Sequence, residues 1–235
     1  MTYTLHYAPD NASLIVRLTL EELEQPYRTV LVDRAIRAQR SDAFRAINPA
    51  GLIPALETGH GPLFETAAIL LWLSETHGAM APQPNDPDRG DFLKWLFFTS
   101  NTVHAQMRML FYPDKYVGDE AAAQSNLRRH VTRHSSDVMT IPVGLHLLNR
   151  FVAERPDGRW PTVLDCYIAA ILRWCGIYPA GETGWFDIRT WPALHDMATR
   201  LESRPSVLRV QEAEGLGPTP FTAPHRPNPP EGTAL

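Results

Sequence analysis

Strand-like segments fall only in the first third of this 235-residue chain, and the remaining two thirds read as helix. Tyr3, Leu5 and Tyr7 recur at period two, as in a half-buried strand. Residues 9–13 break that pattern, and Asn11 or Ser13 can cap a helix whose core face is Leu14, Ile15, Leu18 and Leu23. A second strand is expected at 27–32 and a polar, arginine-rich helix at 34–45. Residues 53–57, a turn through Gly59, His60, Gly61 and Pro62, and the pair Leu63-Phe64 form a hairpin pattern. A helix at 65–77 comes next, with Ile69, Leu70, Trp72 and Leu73 as its buried stripe. The order is βαβαββα, an α/β unit spanning 1–78.

Residues 81–88 are rich in Pro, Asn and Asp, so 79–88 is expected to link that unit to an all-helical one at 89–215. Phe92, Leu96, Val103, Met107 and Leu110 share the apolar face of one long helix. Phe97, Asn101, His104, Arg108 and Phe111 share a second, partly polar face of it. Shorter helices are expected at about 119–139, 143–154, 162–176, 190–203 and 206–214. Six of the 21 prolines lie beyond Gly215, which forbids a regular helix at 216–235 and points to an extended or disordered tail.

With 44% hydrophobic residues and a net charge of -4, the chain has an ordinary globular composition and no overall pull toward nucleic acid or anionic membrane. No apolar run is long enough for a membrane span, and the N-terminus lacks a secretory pattern. Cys166 and Cys175 sit in an apolar helical segment at neither redox nor zinc spacing. They are expected to be core thiols of a protein in the reducing cytoplasm, with no metal.

Three segments carry a family resemblance. They are Asn48-Pro49-Ala50-Gly51-Leu52-Ile53-Pro54-Ala55-Leu56, Glu65-Thr66-Ala67-Ala68-Ile69 and Thr162-Val163-Leu164-Asp165. In order and separation they resemble the glutathione transferase family, closest to its bacterial beta class, over the chain up to about Gly217. Val103-His104, Arg204-Pro205-Ser206-Val207 and Glu214-Gly215-Leu216 extend the likeness. The resemblance implies a thioredoxin-like N-terminal domain plus an all-α C-terminal domain, paired in a homodimer. It implies glutathione as co-substrate and a small electrophile as its partner, as in detoxifying conjugation. A cis bond before Pro54 would present the backbone of Ile53 to glutathione. Thr66 would hold the γ-glutamyl carboxylate and Glu65 its amine, and His104 would stand near the sulfur. Thr162 and Asp165 form a capping box, a structural rather than chemical device.

The catalytic pattern departs from the class at Ala12, which stands in the place of its cysteine, so no mixed disulfide can form there. Ser13 remains as the candidate that stabilises the glutathione thiolate, with Tyr7 as an alternative and Asn11 as a third polar group. Phe97 and Ala105 replace an asparagine and a lysine of the class, and residues 157–161 replace its usual loop. One of Arg34, Arg37, Arg40 and Arg45 could reach the glycyl carboxylate. The leading expectation is a glutathione transferase. The alternatives are a glutathione-dependent disulfide reductase without a protein cysteine, and a non-catalytic interaction protein on the same fold.

Overall fold

The computed structural model describes residues 2–155 and 160–234. Its first unit runs β1 (Tyr3–Tyr7), α1 (Ser13–Glu22), β2 (Tyr27–Leu31), α2 (Asp42–Ile47), β3 (Ala55–Thr58), β4 (Gly61–Phe64) and α3 (Thr66–His77). The sheet order is β2-β1-β3-β4. β1 pairs parallel with β2, Tyr3 opposite Tyr27, and antiparallel with β3, Leu5 opposite Leu56. As an inner strand, β1 is buried along its whole length. Tyr3, Leu5 and Tyr7 pack with Val16 and Leu20 of α1 and Ile69 and Leu73 of α3. The element order is the βαβαββα that the strand and helix periodicities imply, and the arrangement is the thioredoxin-like one that the resemblance implies.

The second unit is helical. α4 (Arg89–Phe98) continues through a π-helical turn (Thr99–His104) into α5 (Ala105–Phe111). The expected long helix is therefore one path with a widened turn in its middle, a feature that recurs at functional sites. Beyond it come α6 (Asp114–Val117), α7 (Ala121–Thr132), α8 (Ile141–Glu154), α9 (Val163–Ile177), α10 (Pro192–Glu202) and α11 (Pro205–Glu214). α9 is buried on every side and packs against α1 and α3, which joins the two units. Its apolar residues include both cysteines, which are unpaired, and burial pushes both thiols well above their usual range.

The capping box that starts α9 is present. The Thr162 N–H donates to Asp165 at 2.7 Å, and the Asp165 N–H points back at the threonine hydroxyl. Arg155 adds a two-pronged ion pair to the same buried carboxylate, at 2.8 and 3.1 Å. Asp165→Ala therefore removes more than a cap. Loss of the cap costs about 1 kcal/mol and loss of the charged hydrogen bonds brings the total to about 2 kcal/mol. The expected result is a lower urea midpoint at unchanged slope; an unshifted midpoint refutes the role. The divergent stretch at 157–159 lies outside the described residues.

Three expectations need correction. The arginine-rich helix at 34–45 is not one helix: Arg37 is left-handed at φ 57°, and α2 begins only after Ser41, whose hydroxyl accepts the Phe44 N–H. That stretch has no apolar stripe to bury, and its Ile36 is exposed. The helix expected at 119–139 stops at Thr132, beyond which the Ser135 hydroxyl takes the Val138 N–H in a local turn that competes with helix. The proline-rich tail is extended, as expected, yet it is packed rather than loose. Phe221 is fully buried, Glu202 accepts the N–H groups of Phe221 and Thr222, and Asn228 donates to the Gly215 carbonyl. The tail then crosses to the first unit, where Gly232 at φ +72° lies so near Leu31 that a Cβ would come within 2.6 Å of it.

Candidate functional site

The two units enclose a cavity of about 830 Å³, within the range of small-molecule sites. One wall comes from the first unit: Asn11 and Ala12 before α1, Ile53 and Pro54 before β3, and Glu65 and Thr66 at the start of α3. The opposite wall comes from the widened helix, with Phe97, Asn101, His104, Arg108 and Phe111 all on it. Of the sequence-predicted residues, the structure thus gathers Asn11, Ile53, Pro54, Glu65, Thr66 and His104 around one space. Ser13 and Tyr7 are not among its lining residues.

Each wall residue is placed by local structure. The Ile53–Pro54 peptide is cis. Glu65 precedes α3 with φ 69°, a conformation that non-glycine residues rarely hold, and it is exposed. Thr66 is buried, and its hydroxyl has no protein partner among the described residues. It opens a twelve-residue helix whose first-turn N–H groups are free to bind an anion.

The loop between β1 and α1 is anchored by Asp10. Its buried carboxylate accepts hydrogen bonds from Arg173 Nε at 2.8 Å and Nη2 at 3.1 Å, Trp174 Nε1 at 2.8 Å and Tyr178 at 2.8 Å. Its N–H donates to Glu214 at 2.8 Å. Burial raises the Glu214 carboxyl to about 7, against the opposing pull of Arg17. The adjacent Asn11 accepts the Ala12 N–H on its side-chain oxygen at 2.9 Å. A backbone N–H can only donate, so the atom facing it is oxygen, and the NH2 end has no hydrogen-bond partner among the described residues. Asn11 therefore offers the cavity a donor at the N-terminus of α1.

Ser13 is fully buried, and its hydroxyl donates to the Ala8 carbonyl at 3.0 Å and accepts the Ala8 N–H at 3.3 Å. Its local bonding is that of a loop brace. The Tyr7 hydroxyl donates to Glu231 of the tail. Burial, then that carboxylate, pushes the phenol well above its usual range, so it stays protonated.

His104 bonds to the Tyr167 hydroxyl through Nδ1 at 2.8 Å, and the two rings meet edge to face. Burial, then the charge of Arg108, lowers its pKa to about 4, so the imidazole is neutral at physiological pH. If Tyr167 donates, Nε2 keeps its proton; if Nδ1 donates, the Tyr167 proton is free. Either tautomer leaves one further donor in the pair.

Arg34 is the only one of the four candidate arginines on the cavity wall. It donates to Tyr112 at 3.0 Å and to the carbonyl of Ala234, which brings the tail to the cavity as well. Sequence reasoning missed Tyr112, Tyr167, Trp174 and Tyr178. Tyr167 and Trp174 carried a signal: a spacing of seven places them on one face of α9, and Tyr178 follows just past its end. Asp10 carried none, because its partners lie far off in sequence.

A family profile for the glutathione S-transferase N-terminal domain matches residues 12–76. The glutathione S-transferase GstA of Escherichia coli O157:H7 is 26% identical over 219 residues, covering 90% of this chain and 98% of its own. The disulfide-bond oxidoreductase YfcG of Escherichia coli K12 is 27% identical over 210 residues, covering 86% of this chain and 91% of its own. Among solved structures, a sphingomonad glutathione S-transferase complexed with glutathione matches with a TM-score of 0.69 at 29% identity, over 91% of this chain and 100% of that one. The profile covers the first unit, and the relatives and the fold carry the likeness over most of the chain: the first unit is a glutathione S-transferase N-terminal domain, and the chain as a whole is similar to glutathione transferases.

Proposed function

We propose that this protein is a glutathione transferase that activates the glutathione thiol with Asn11 and conjugates it to a small electrophile. The observation that carries this is the free NH2 of Asn11 on the same cavity as the open N-terminus of α3. In this reading the γ-glutamyl carboxylate sits on Thr66 and the first turn of α3, and its ammonium on Glu65. The Ile53 backbone pairs with the cysteinyl unit as an added strand. Arg34 takes the glycyl carboxylate and His104 donates toward the sulfur. Two unpaired, buried cysteines fit a reducing cytoplasm.

Calorimetry with glutathione tests the placement. Thr66→Ala and Glu65→Ala each remove a bond to a charged ligand group, about 1.5–3 kcal/mol, so affinity should fall roughly tenfold or more. Unchanged affinity in both variants would mean that glutathione does not bind here. The family resemblance further supports a homodimer, for which light scattering at micromolar concentration should give twice the chain mass; a monomer counts against it.

A second reading is favoured by the similarity to YfcG, named as a disulfide-bond oxidoreductase. No cysteine lines the cavity, so such a reaction would run between glutathione and a disulfide substrate. Reduction of a small disulfide faster than aryl conjugation would make it the principal activity.

A further inference from the structure

We propose that the electrophile taken by this site carries an anionic group, most simply a carboxylate on a planar ring, and that Arg108 receives it. The proposal rests on the transferase reading above and names the class of its second substrate.

The charged residues on the cavity wall are Asp10, Glu65, Arg34 and Arg108. Asp10 is engaged by Arg173, and Arg34 by Tyr112 and the Ala234 carbonyl. Glu65 belongs to the opposite wall. Arg108 is the one cation of the four whose side chain makes no ion pair or hydrogen bond among the described residues; its guanidinium lies over the ring of Tyr112, 5.8 Å from the centroid. A half-buried guanidinium with an unengaged fork is a ready partner for a carboxylate, which it can bind through two parallel hydrogen bonds.

The surroundings define the rest of the ligand. Arg108 is one helical turn beyond His104, and its charge is felt there, so it stands close to the reacting sulfur. Phe97, Phe111, Tyr112 and Tyr178 line the same side, and aromatic walls favour a flat, apolar body. A ring held among these groups with its carboxylate on Arg108 keeps its far edge toward the thiolate. In the aryl halide case the thiolate sulfur supplies the electron pair of the new C–S bond. Chloride then leaves with the pair of the C–Cl bond, and no further reactant is required.

The experiment compares two electrophiles, chlorodinitrobenzene and its carboxylated counterpart chlorodinitrobenzoate, in wild type and Arg108→Gln. The substitution should reduce the ratio of kcat/KM for the benzoate over that for the neutral halide roughly tenfold or more, as loss of a charged hydrogen-bonded partner does. Calorimetry with S-benzylglutathione and its para-carboxybenzyl analogue reads the same subsite without turnover, and the wild-type preference for the carboxylated conjugate should collapse in the variant. Equal loss for both electrophiles would make Arg108 a stabiliser of the thiolate and overturn the proposal. A comparable loss of affinity for glutathione itself would place Arg108 on glutathione and overturn it too. If wild type binds both conjugates without preference, the proposal fails while the transferase reading stands. If glutathione and both conjugates fail to bind, the transferase reading fails and takes the proposal with it.

Discussion

Arg173→Met is expected to lower the unfolding free energy by about 3–5 kcal/mol, the cost of stranding one member of a buried ion pair. Arg173 and Asp10 are both withdrawn from solvent, and their side chains meet at 2.8 Å. Methionine keeps much of the aliphatic stem but supplies no donor. Asp10 would retain Trp174 and Tyr178, yet lose both guanidinium bonds and its counter-charge. The same guanidinium also donates to the carbonyls of Leu216, Pro220 and His225, so the tail loses its anchor in the same step. For a chain of this length each kcal/mol is worth about 2–4 °C, so the melting midpoint should fall by roughly 6–20 °C. Adding Asp10→Asn to that variant removes the stranded charge and should recover part of the loss, a coupling that two independent sites would not display. A melting shift under about 3 °C in the single variant would show that the pair is not the clamp between the β1–α1 loop, α9 and the tail.

That clamp marks the boundary of what the sequence makes legible. Period-two and helical periodicity locate β1 and the faces of the long helix because each depends on residues a few positions apart. The α9 cap is legible for the same reason, since Thr162 and Asp165 are three residues apart. Asp10 reads as an ordinary loop residue, since its meaning depends on Arg173, 163 positions away. The tail fails similarly. Six prolines exclude a helix but do not exclude packing, and the prolines leave carbonyls free for Arg173 to collect. Phe221 was the one signal that this segment has something to bury. Ser13 shows a different limit. The resemblance matches a position in the chain but not a side-chain direction, and here the hydroxyl is engaged by Ala8 while the neighbouring Asn11 faces the cavity.

Asn11→Ala is expected to raise the thiol pKa of bound glutathione by about 1–2 units, and this carries the catalytic proposal. A free cysteine thiol titrates near ~8.5, so reaching ~6.5 takes about 2.7 kcal/mol of preference for the thiolate. A hydrogen bond from the Asn11 NH2 to the charged sulfur contributes about 1.5–3 kcal/mol, and the N-terminus of α1 about 0.3–1. The two suffice without a cysteine at position 12. Removing the first drops the thiolate at pH 7 from about three quarters to between about a thirtieth and a quarter, so kcat/KM should fall roughly 3- to 25-fold. His104, lowered to about 4, stays neutral across pH 5–9, so it adds no step of its own to the rise in rate with pH in that range. Thiolate absorbance of bound glutathione, titrated in wild type, Asn11→Ala, Ser13→Ala and Tyr7→Phe, separates the candidates. Ser13→Ala should chiefly cost stability, because it strips the Ala8 backbone of its partner, and Tyr7→Phe should chiefly loosen the tail at Glu231. A pKa moved by Ser13→Ala and untouched by Asn11→Ala would return the role to the serine, and a wild-type pKa left near ~8.5 would favour a non-catalytic protein on this fold.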